Sequence, residues 1–275
     1  EGGVYHLALT PDRLRERVIL VGDPARADLI AGLLDSVDYR VEHREFRSVA
    51  GHFGAKEVMV VSTGISSDCA DIVLNELDAL VNIDLRTRTV RPALRSLRIV
   101  RIGTCGGFGE DIELGDFVAT THAVGGDGML GYYGDTSAIR EAGLERAVTQ
   151  QTGWGEALPA LYAVKASPEL LEDLLAFSKS GATFSAGGFF GAQGRRLRLM
   201  PAVPDLVERL CKVEYEGVRI KNMEMEGASV IGLARLLGHV AAVVCLVIAH
   251  RTKQAAAVDY EARMEELALQ VLRVI

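Results

Sequence analysis

Short β-branched runs alternate along this chain with stretches whose apolar residues return at helical spacing. Residues 17–21 lead into a helical pattern at 25–34, residues 57–62 into one at 68–80, and residues 240–249 into one at 259–275. That alternation predicts an α/β fold. The last pattern puts Tyr260, Met264, Leu267, Val271 and Ile275 on one side and leaves Arg263, Glu266 and Arg273 for water, so this helix is expected to lay its stripe on a sheet. Residues 227–237 are apolar nearly all round, Arg235 excepted, which predicts a helix buried in the middle of the molecule. The longest apolar run, 240–249, is about ten residues against the roughly twenty that a membrane helix needs, and reads as a buried strand. Residues 125–134 and 153–159 read as excursions between elements, and 82–98, with Arg86, Arg88, Arg91, Arg95 and Arg98, as a solvated insertion. Nothing reads as a linker or a repeat, so residues 1–275 are expected to form one domain.

Composition removes several function classes. With 275 residues, 49% of them hydrophobic, the chain is long enough to bury a sizeable core. A net charge of −7 argues against a protein that coats nucleic acid or an anionic membrane, so any anion it binds has to be held by local positive groups. Cys69, Cys105, Cys211 and Cys245 show neither metal-ligand spacing nor a disulfide framework, which points to reduced thiols in a cytoplasmic protein. The first residues carry no basic-plus-apolar export signal.

Chemistry enters at charged residues that packing does not require. In Asn222-Met223-Glu224-Met225-Glu226-Gly227 two carboxylates stand between methionines where an extended segment turns into the apolar helix. If 222–226 are extended, Glu224 and Glu226 share one face and the methionines the other. A carboxylate at a helix start gains from the dipole, so Glu226 is expected to be ionised, rigidly placed and suited to gripping a vicinal diol such as that of ribose. The structural alternative is that Glu226 opens the helix and Glu224 pairs with an arginine. In residues 18–26 a strand runs into Gly22, the N-cap residue Asp23 and Pro24 at the first helical position. Gly22 there lets an oxyanion approach the backbone, with Arg26 about one turn along the same helix, unless the turn is purely structural. The G-x-G-x-x-G fingerprint is absent at this turn, which argues against a dinucleotide.

A second strand, 97–102, places Arg101 near its end and gives way to Gly103-Thr104-Cys105-Gly106-Gly107. Forked guanidinium, permissive glycine and bridging hydroxyl have the look of an anion cradle, although a salt-bridged arginine beside a glycine turn would look the same. Arg44, among strand formers in His43-Arg44-Glu45-Phe46, reads as functional or as an edge charge. In residues 187–195, Phe189 offers an aromatic face, Gln193 a donor and an acceptor, and Arg195 donors only. That set satisfies the carbonyls and ring N–H of a pyrimidine; a glycine-rich loop with solvent-facing polar residues is the other reading.

Together, Tyr5-His6-Leu7, Gly22-Asp23-Pro24, His43-Arg44-Glu45-Phe46, Ser62-Thr63-Gly64-Ile65, Arg101-Ile102-Gly103-Thr104, Gln193-Gly194-Arg195 and Met223-Glu224-Met225-Glu226 resemble, in order, the motifs of the nucleoside phosphorylase superfamily, most nearly its uridine phosphorylase branch. The resemblance implies a single α/β domain with a mixed, partly barrel-like central sheet flanked by helices. It implies reversible cleavage of uridine by phosphate to uracil and ribose 1-phosphate, with no cofactor, since inorganic phosphate is a substrate. It also implies a homo-oligomer whose active site is shared between two subunits. Carried over by motif, Gly22, Arg26, Arg101 and Thr104 would hold phosphate, with Arg44 reaching in from the neighbour. Thr104, Met225 and Glu226 would hold ribose, with the neighbour's His6 near the 5′ hydroxyl. Phe189, Gln193 and Arg195 would hold the base, and Arg251 would sit in the mobile segment that closes over it. The expected catalytic set is Arg101, Thr104, Gln193, Arg195 and Glu226. Glycosidic cleavage leaves positive charge on the sugar and negative charge on the base, so it calls for electrostatics aimed at both rather than for a protein nucleophile.

The chain also departs from that family. Ile248-Ala249-His250-Arg251 has no carboxylate where purine-specific relatives carry an aspartate, which favours a pyrimidine. His250, where uridine phosphorylases commonly have asparagine, can serve as an acid near neutrality and keeps a purine open. Ser66-Ser67-Asp68-Cys69 stands in place of the glycines and proline that usually follow Ile65, removing the residues on which close backbone approach relies. Some relatives bind a monovalent cation near Glu45, Ile65 and Cys69; a thiol is a poor ligand for such an ion, and no metal is expected. Water in place of phosphate, a purine in place of a pyrimidine, and a non-catalytic nucleoside sensor are the competing functions.

Overall fold

The computed structural model describes residues 2–253 and 259–275. The strands are β1 (Arg17–Val21), β2 (Ser36–His43), β3 (Phe46–Phe53), β4 (Lys56–Ser62), β5 (Ile83–Asp84), β6 (Thr89–Val90), β7 (Arg98–Gly107), β8 (Phe117–Gly125), β9 (Tyr162–Lys165), β10 (Lys179–Ser185), β11 (Glu214–Tyr215), β12 (Val218–Glu224) and β13 (Val240–His250). The α-helices are α1 (Pro24–Ala31), α2 (Ser67–Asn82), α3 (Ala142–Thr152), α4 (Pro168–Leu175), α5 (Leu206–Leu210), α6 (Gly227–Leu236) and α7 (Tyr260–Val274). Among the described residues no helix is long and apolar enough to cross a membrane.

Five strands close into a ring. β7 pairs β13, β13 pairs β8, β8 pairs β10, β10 pairs β12, and β12 returns to β7 with Asn222 opposite Gly107 and Met223 opposite Gly106. β7 and β13 run parallel to each other and antiparallel to β8, β10 and β12, so the barrel is mixed. From β7 the sheet extends outward through β1, β4, β3 and β2. The α/β class and the partly barrel-like sheet flanked by helices are as the sequence led one to expect.

The apolar patterns account for most of this. β13 is covered along its length, with Ala241 to Val247 fully buried, as a continuous apolar strand requires. α6 is buried throughout its first eight residues, matching its all-round apolarity. α7 buries Met264, Leu267 and Val271 and leaves Arg273 exposed. α1 opens on Pro24, with the Asp23 carboxylate accepting the Ala25 N–H at 2.9 Å. Residues 82–98 form a mostly exposed excursion around the short β5–β6 hairpin. All four cysteines are free.

One expectation fails. The strand expected over 97–102 does not end there, and the alternative of a glycine turn at 103–107 falls with it, because β7 runs on to Gly107 in register with β13 as far as His250. Glycine is needed there for another reason. A Cβ on Gly103 would strike the Arg101 guanidinium that lies over it and come within 2.9 Å of Cys245 Sγ, and one on Gly107 would come within 2.8 Å of Val247. A glycine that lets a neighbouring side chain lie flat on a strand looks, in sequence, like one that makes a turn. Gly103→Ala should therefore destabilise the protein by about 1–3 kcal/mol and push Arg101 off its partners. Urea unfolding and activity assays check this; a variant as stable and as active as the parent would mean that the guanidinium moves aside at no cost.

Candidate active site

The antiparallel closure of β12 on β7 brings the acidic motif to Arg101. Continuing that register past its last pair sets Glu224 level with Cys105 and Glu226 level with Gly103. Both carboxylates reach the Arg101 guanidinium, which is 3% exposed: Glu224 Oε2 lies 3.1 Å from Nη1, and Glu226 Oε2 accepts from Nη2. Burial by itself lowers the Arg101 pKa, but Glu226 and Glu224 together outweigh it and hold the guanidinium firmly charged. Burial raises the Glu226 carboxyl above its usual range, opposed chiefly by Arg101.

The helix start is served by the other carboxylate. Glu224, not Glu226, accepts the N–H groups of Glu226 and Gly227 at 2.9 Å; it also takes the Ser185 hydroxyl at 2.5 Å, and Ser185 Oγ in turn accepts the Ala228 N–H at 2.8 Å. Glu226 is left to Arg101 and to the Ser66 N–H, 2.7 Å away. Ser66 makes this contact at φ 113°, where L residues are rare. The backbone approach thus survives the loss of the family's glycines.

Arg26, 9% exposed, arrives from α1. Its Nη1 donates to the carbonyl of Ile102, next to Arg101 on β7, at 3.2 Å, and its Nε and Nη2 both donate to the hydroxyl of Tyr260 at 3.0 and 2.9 Å. It lies near enough to Glu226 to help hold that carboxyl down against burial. Gly22, Thr104 and Met225 are half-buried, at the entry to α1, on β7 and between the two glutamates respectively.

A second cluster forms around Gln193, which is buried in the 3-10 turn Gly191–Gln193. Arg251 donates from Nη1 to Gln193 Oε1 at 3.1 Å and from Nη2 to its carbonyl at 3.0 Å, and lies 3.9 Å from Met223 Sδ. The Arg195 guanidinium stacks over the Phe189 ring at 3.8 Å from its centroid. Burial, reinforced by the Arg195 charge, pushes Arg251 down to about 10, and burial also lowers Arg195. Among the described residues no carboxylate offsets either shift. Arg195 also borders an open cleft of about 640 Å³ lined by Leu158, Phe190, Leu199 and Met200. Residues 223–226 adjoin both clusters, Met223 touching Arg251 and Glu224 and Glu226 holding Arg101.

Arg44 and His6 stand elsewhere. Arg44 is no edge-strand charge: it is the first residue of the tight turn joining β2 to β3, at φ 55°, half exposed and 3.5 Å from Glu45. His6 Nδ1 lies 2.7 Å from Glu76, while its carbonyl is 3.0 Å from Nδ1 of His43, the residue before Arg44. The two residues that the resemblance assigns to a neighbour's site therefore share one surface. His250 is buried, its Nδ1 accepting the Lys253 N–H at 3.1 Å, so the neutral ring carries its proton on Nε2, which has no partner among the described residues. The segment expected to close over the base continues from Arg251 into 254–258, outside the described residues.

Two polar side chains here escaped the sequence reading. Tyr260 looked like part of an apolar stripe, and nothing in its surroundings along the chain signals a partner on α1. Asp127, in the loop after β8, accepts the Tyr162 hydroxyl at 2.9 Å and the Met129 N–H at 2.7 Å; burial, with Glu224 nearby, pushes its carboxyl up to about 6.

The chain as a whole is similar to known proteins. The chain is 30% identical over 255 residues to the uridine phosphorylase of Haemophilus influenzae, covering 92% of this chain and 88% of that one. It is 29% identical to the uridine phosphorylase of Thermococcus kodakarensis, over 91% of this chain and 79% of the other. A crystal structure of a Trypanosoma brucei nucleoside phosphorylase, described as showing uridine phosphorylase activity, superposes with a TM-score of 0.89 at 29% identity, covering 100% of this chain and 98% of that one. Residues 16–275 match the phosphorylase superfamily, and the chain belongs to it. It is an enzyme of the pentosyltransferase class.

Asp127 gives the fold a pH dependence. Its folded-state pKa of about 6 lies above the ordinary 3.8, so the folded protein holds this proton more tightly than the unfolded chain. The stabilisation, about 3 kcal/mol, is complete below about pH 4 and lost as pH rises through about 6. The melting temperature of the parent minus that of Asp127→Asn should fall across this window; a difference that stays constant would show that Asp127 is not the group responsible.

Proposed function

We propose that this enzyme, working as a single domain, cleaves uridine with inorganic phosphate to give uracil and ribose 1-phosphate, and needs no cofactor. Nucleoside phosphorolysis accords with its superfamily and relatives; the choice of a pyrimidine rests on the site. The observation that carries the reading is a pair of charge clusters joined by residues 223–226. Arg26 and Arg101 stand beside the carboxylate of Glu226 at one, and Arg195 and Arg251 flank Gln193 at the other, with no acidic neighbour among the described residues.

Phosphate binds at Gly22 and the start of α1, taking the remaining donors of Arg26 and the Nε–H of Arg101, which has no acceptor among the described residues. Thr104 bridges phosphate and sugar. An oxyanion drawn to Arg101 competes with Glu226 for it, freeing the carboxylate to accept from the ribose diol, with Met225 against the sugar. As the glycosidic bond stretches, positive charge on the ribose faces phosphate and Glu226, while negative charge on the base faces Gln193, Arg195 and Arg251, with Phe189 against its ring. The surface shared by Arg44 and His6 supports a homo-oligomer in which a neighbour supplies both residues to each site. A purine nucleoside is the second reading, favoured by the buried, unpartnered Nε2–H of His250, a donor suited to a purine N7.

Uridine and inosine incubated with and without phosphate separate the readings. Free uracil is expected only when phosphate is present; release without phosphate would make the protein a nucleosidase, preferential loss of inosine a purine enzyme, and tight uridine binding without product a sensor. Arg195→Ala should slow uridine phosphorolysis by about 2.7–4 kcal/mol of transition-state stabilisation with little change in phosphate binding. Equal activity in that variant would remove Arg195 from the base site.

A further inference from the structure

A guanidinium has five N–H donors. In Arg26 the Nε–H and one Nη2–H go to the Tyr260 hydroxyl and one Nη1–H goes to the Ile102 carbonyl. Among the described residues that leaves one N–H on each terminal nitrogen without an acceptor, a pair of donors free for an oxyanion. We propose that Tyr260 is a positioning residue of the phosphate site, fixing the plane of Arg26 so that this free pair faces the incoming phosphate. The inference rests on the reading of the protein as a phosphate-dependent phosphorylase.

The chemistry of the acceptor is the point. Arg101 is held by two carboxylates, which cancel its charge before any anion arrives. Arg26 is almost as deeply buried, yet its hydrogen-bond acceptors among the described residues are a phenol and a peptide carbonyl, both neutral. A carboxylate at position 260 would orient Arg26 equally well but would compete with phosphate for it. A phenylalanine would leave two buried N–H groups without an acceptor and the guanidinium free to turn. Tyrosine orients the group without adding a negative charge that would compete with phosphate for it. The hydroxyl is itself well placed, because Tyr260 is the first residue of α7, whose start is capped by Asp259 accepting the Ala262 N–H at 3.3 Å and whose apolar stripe is buried.

The test is Tyr260→Phe, with phosphate binding measured by calorimetry in the absence of nucleoside and Michaelis constants measured for phosphate and uridine. The variant should bind phosphate about tenfold more weakly, with a matching rise in the phosphate KM, an unchanged uridine KM and a lower melting temperature, because two buried N–H groups of Arg26 lose their acceptor. In an Arg26→Ala background the same substitution should add nothing, since Tyr260 acts through Arg26. Unchanged phosphate affinity, a parallel rise in both KM values, or a full tenfold loss persisting without Arg26 would each overturn the proposal. A parent enzyme that requires phosphate beside a variant that binds it normally overturns the role of Tyr260 alone; a parent that cleaves uridine without binding phosphate overturns the functional reading as well.

Discussion

A buried guanidinium held by two carboxylates organises this molecule. Removing one partner of such a cluster strands a charge in the interior at a cost of about 3–5 kcal/mol, whereas apolar residues of similar volume would often serve stability as well or better. Packing by itself therefore does not call for Arg101, Glu224 and Glu226. The fold is arranged to make the cluster possible. β12 closes the barrel antiparallel to β7, so the residues beyond its last pair run back alongside Arg101. Gly103 leaves room for the guanidinium, and Ser66 accepts an unfavourable φ to give Glu226 its second contact.

Within the cluster the two carboxylates divide the labour. Glu224 is bound to the first N–H groups of α6 and to Ser185, so it is fixed in place and holds Arg101 by one nitrogen. Glu226 has no such anchor in the helix, and its contacts with Arg101 and Ser66 are ones that a sugar diol and an oxyanion can exchange for their own. Beyond this balanced centre lie guanidinium groups that, among the described residues, are not ion-paired with a carboxylate: Arg26, with Glu226 nearby, on one side and Arg195 with Arg251 on the other. A chain with net charge −7 has no general attraction for anions. Any anion it binds has to be held by such local positive groups, where burial strengthens every interaction.

The acidic motif shows how far local pattern reaches. Its two glutamates were expected to share a face, and they do share a partner, but the strand ends at Glu224 and the helix cap falls to that residue rather than to Glu226. The strand carrying Arg101 was expected to end at Ile102, with the glycines beyond it as an anion cradle or a turn, and they lie instead within a long strand, since a turn and a close side-chain approach ask for the same residue. Tyr260 shows the opposite limit. Its spacing fits the stripe of α7, and only the packing of α7 near α1 reveals that its hydroxyl meets Arg26.

The sequence by itself determined the element types, the buried strand β13 and helix α6, the N-cap at Asp23 and the candidate residues, because these depend on periodicity and on side-chain chemistry that is local to each segment. Tertiary structure alone decided that β12 closes on β7, that Arg26 reaches the strand that carries Arg101, that Glu224 and Glu226 make different contacts, and that His6 lies against the residue before Arg44. Those facts depend on strand register and on contacts between residues far apart in the chain. A shift of one position in that register would turn the same side chains to opposite faces without altering a single local pattern.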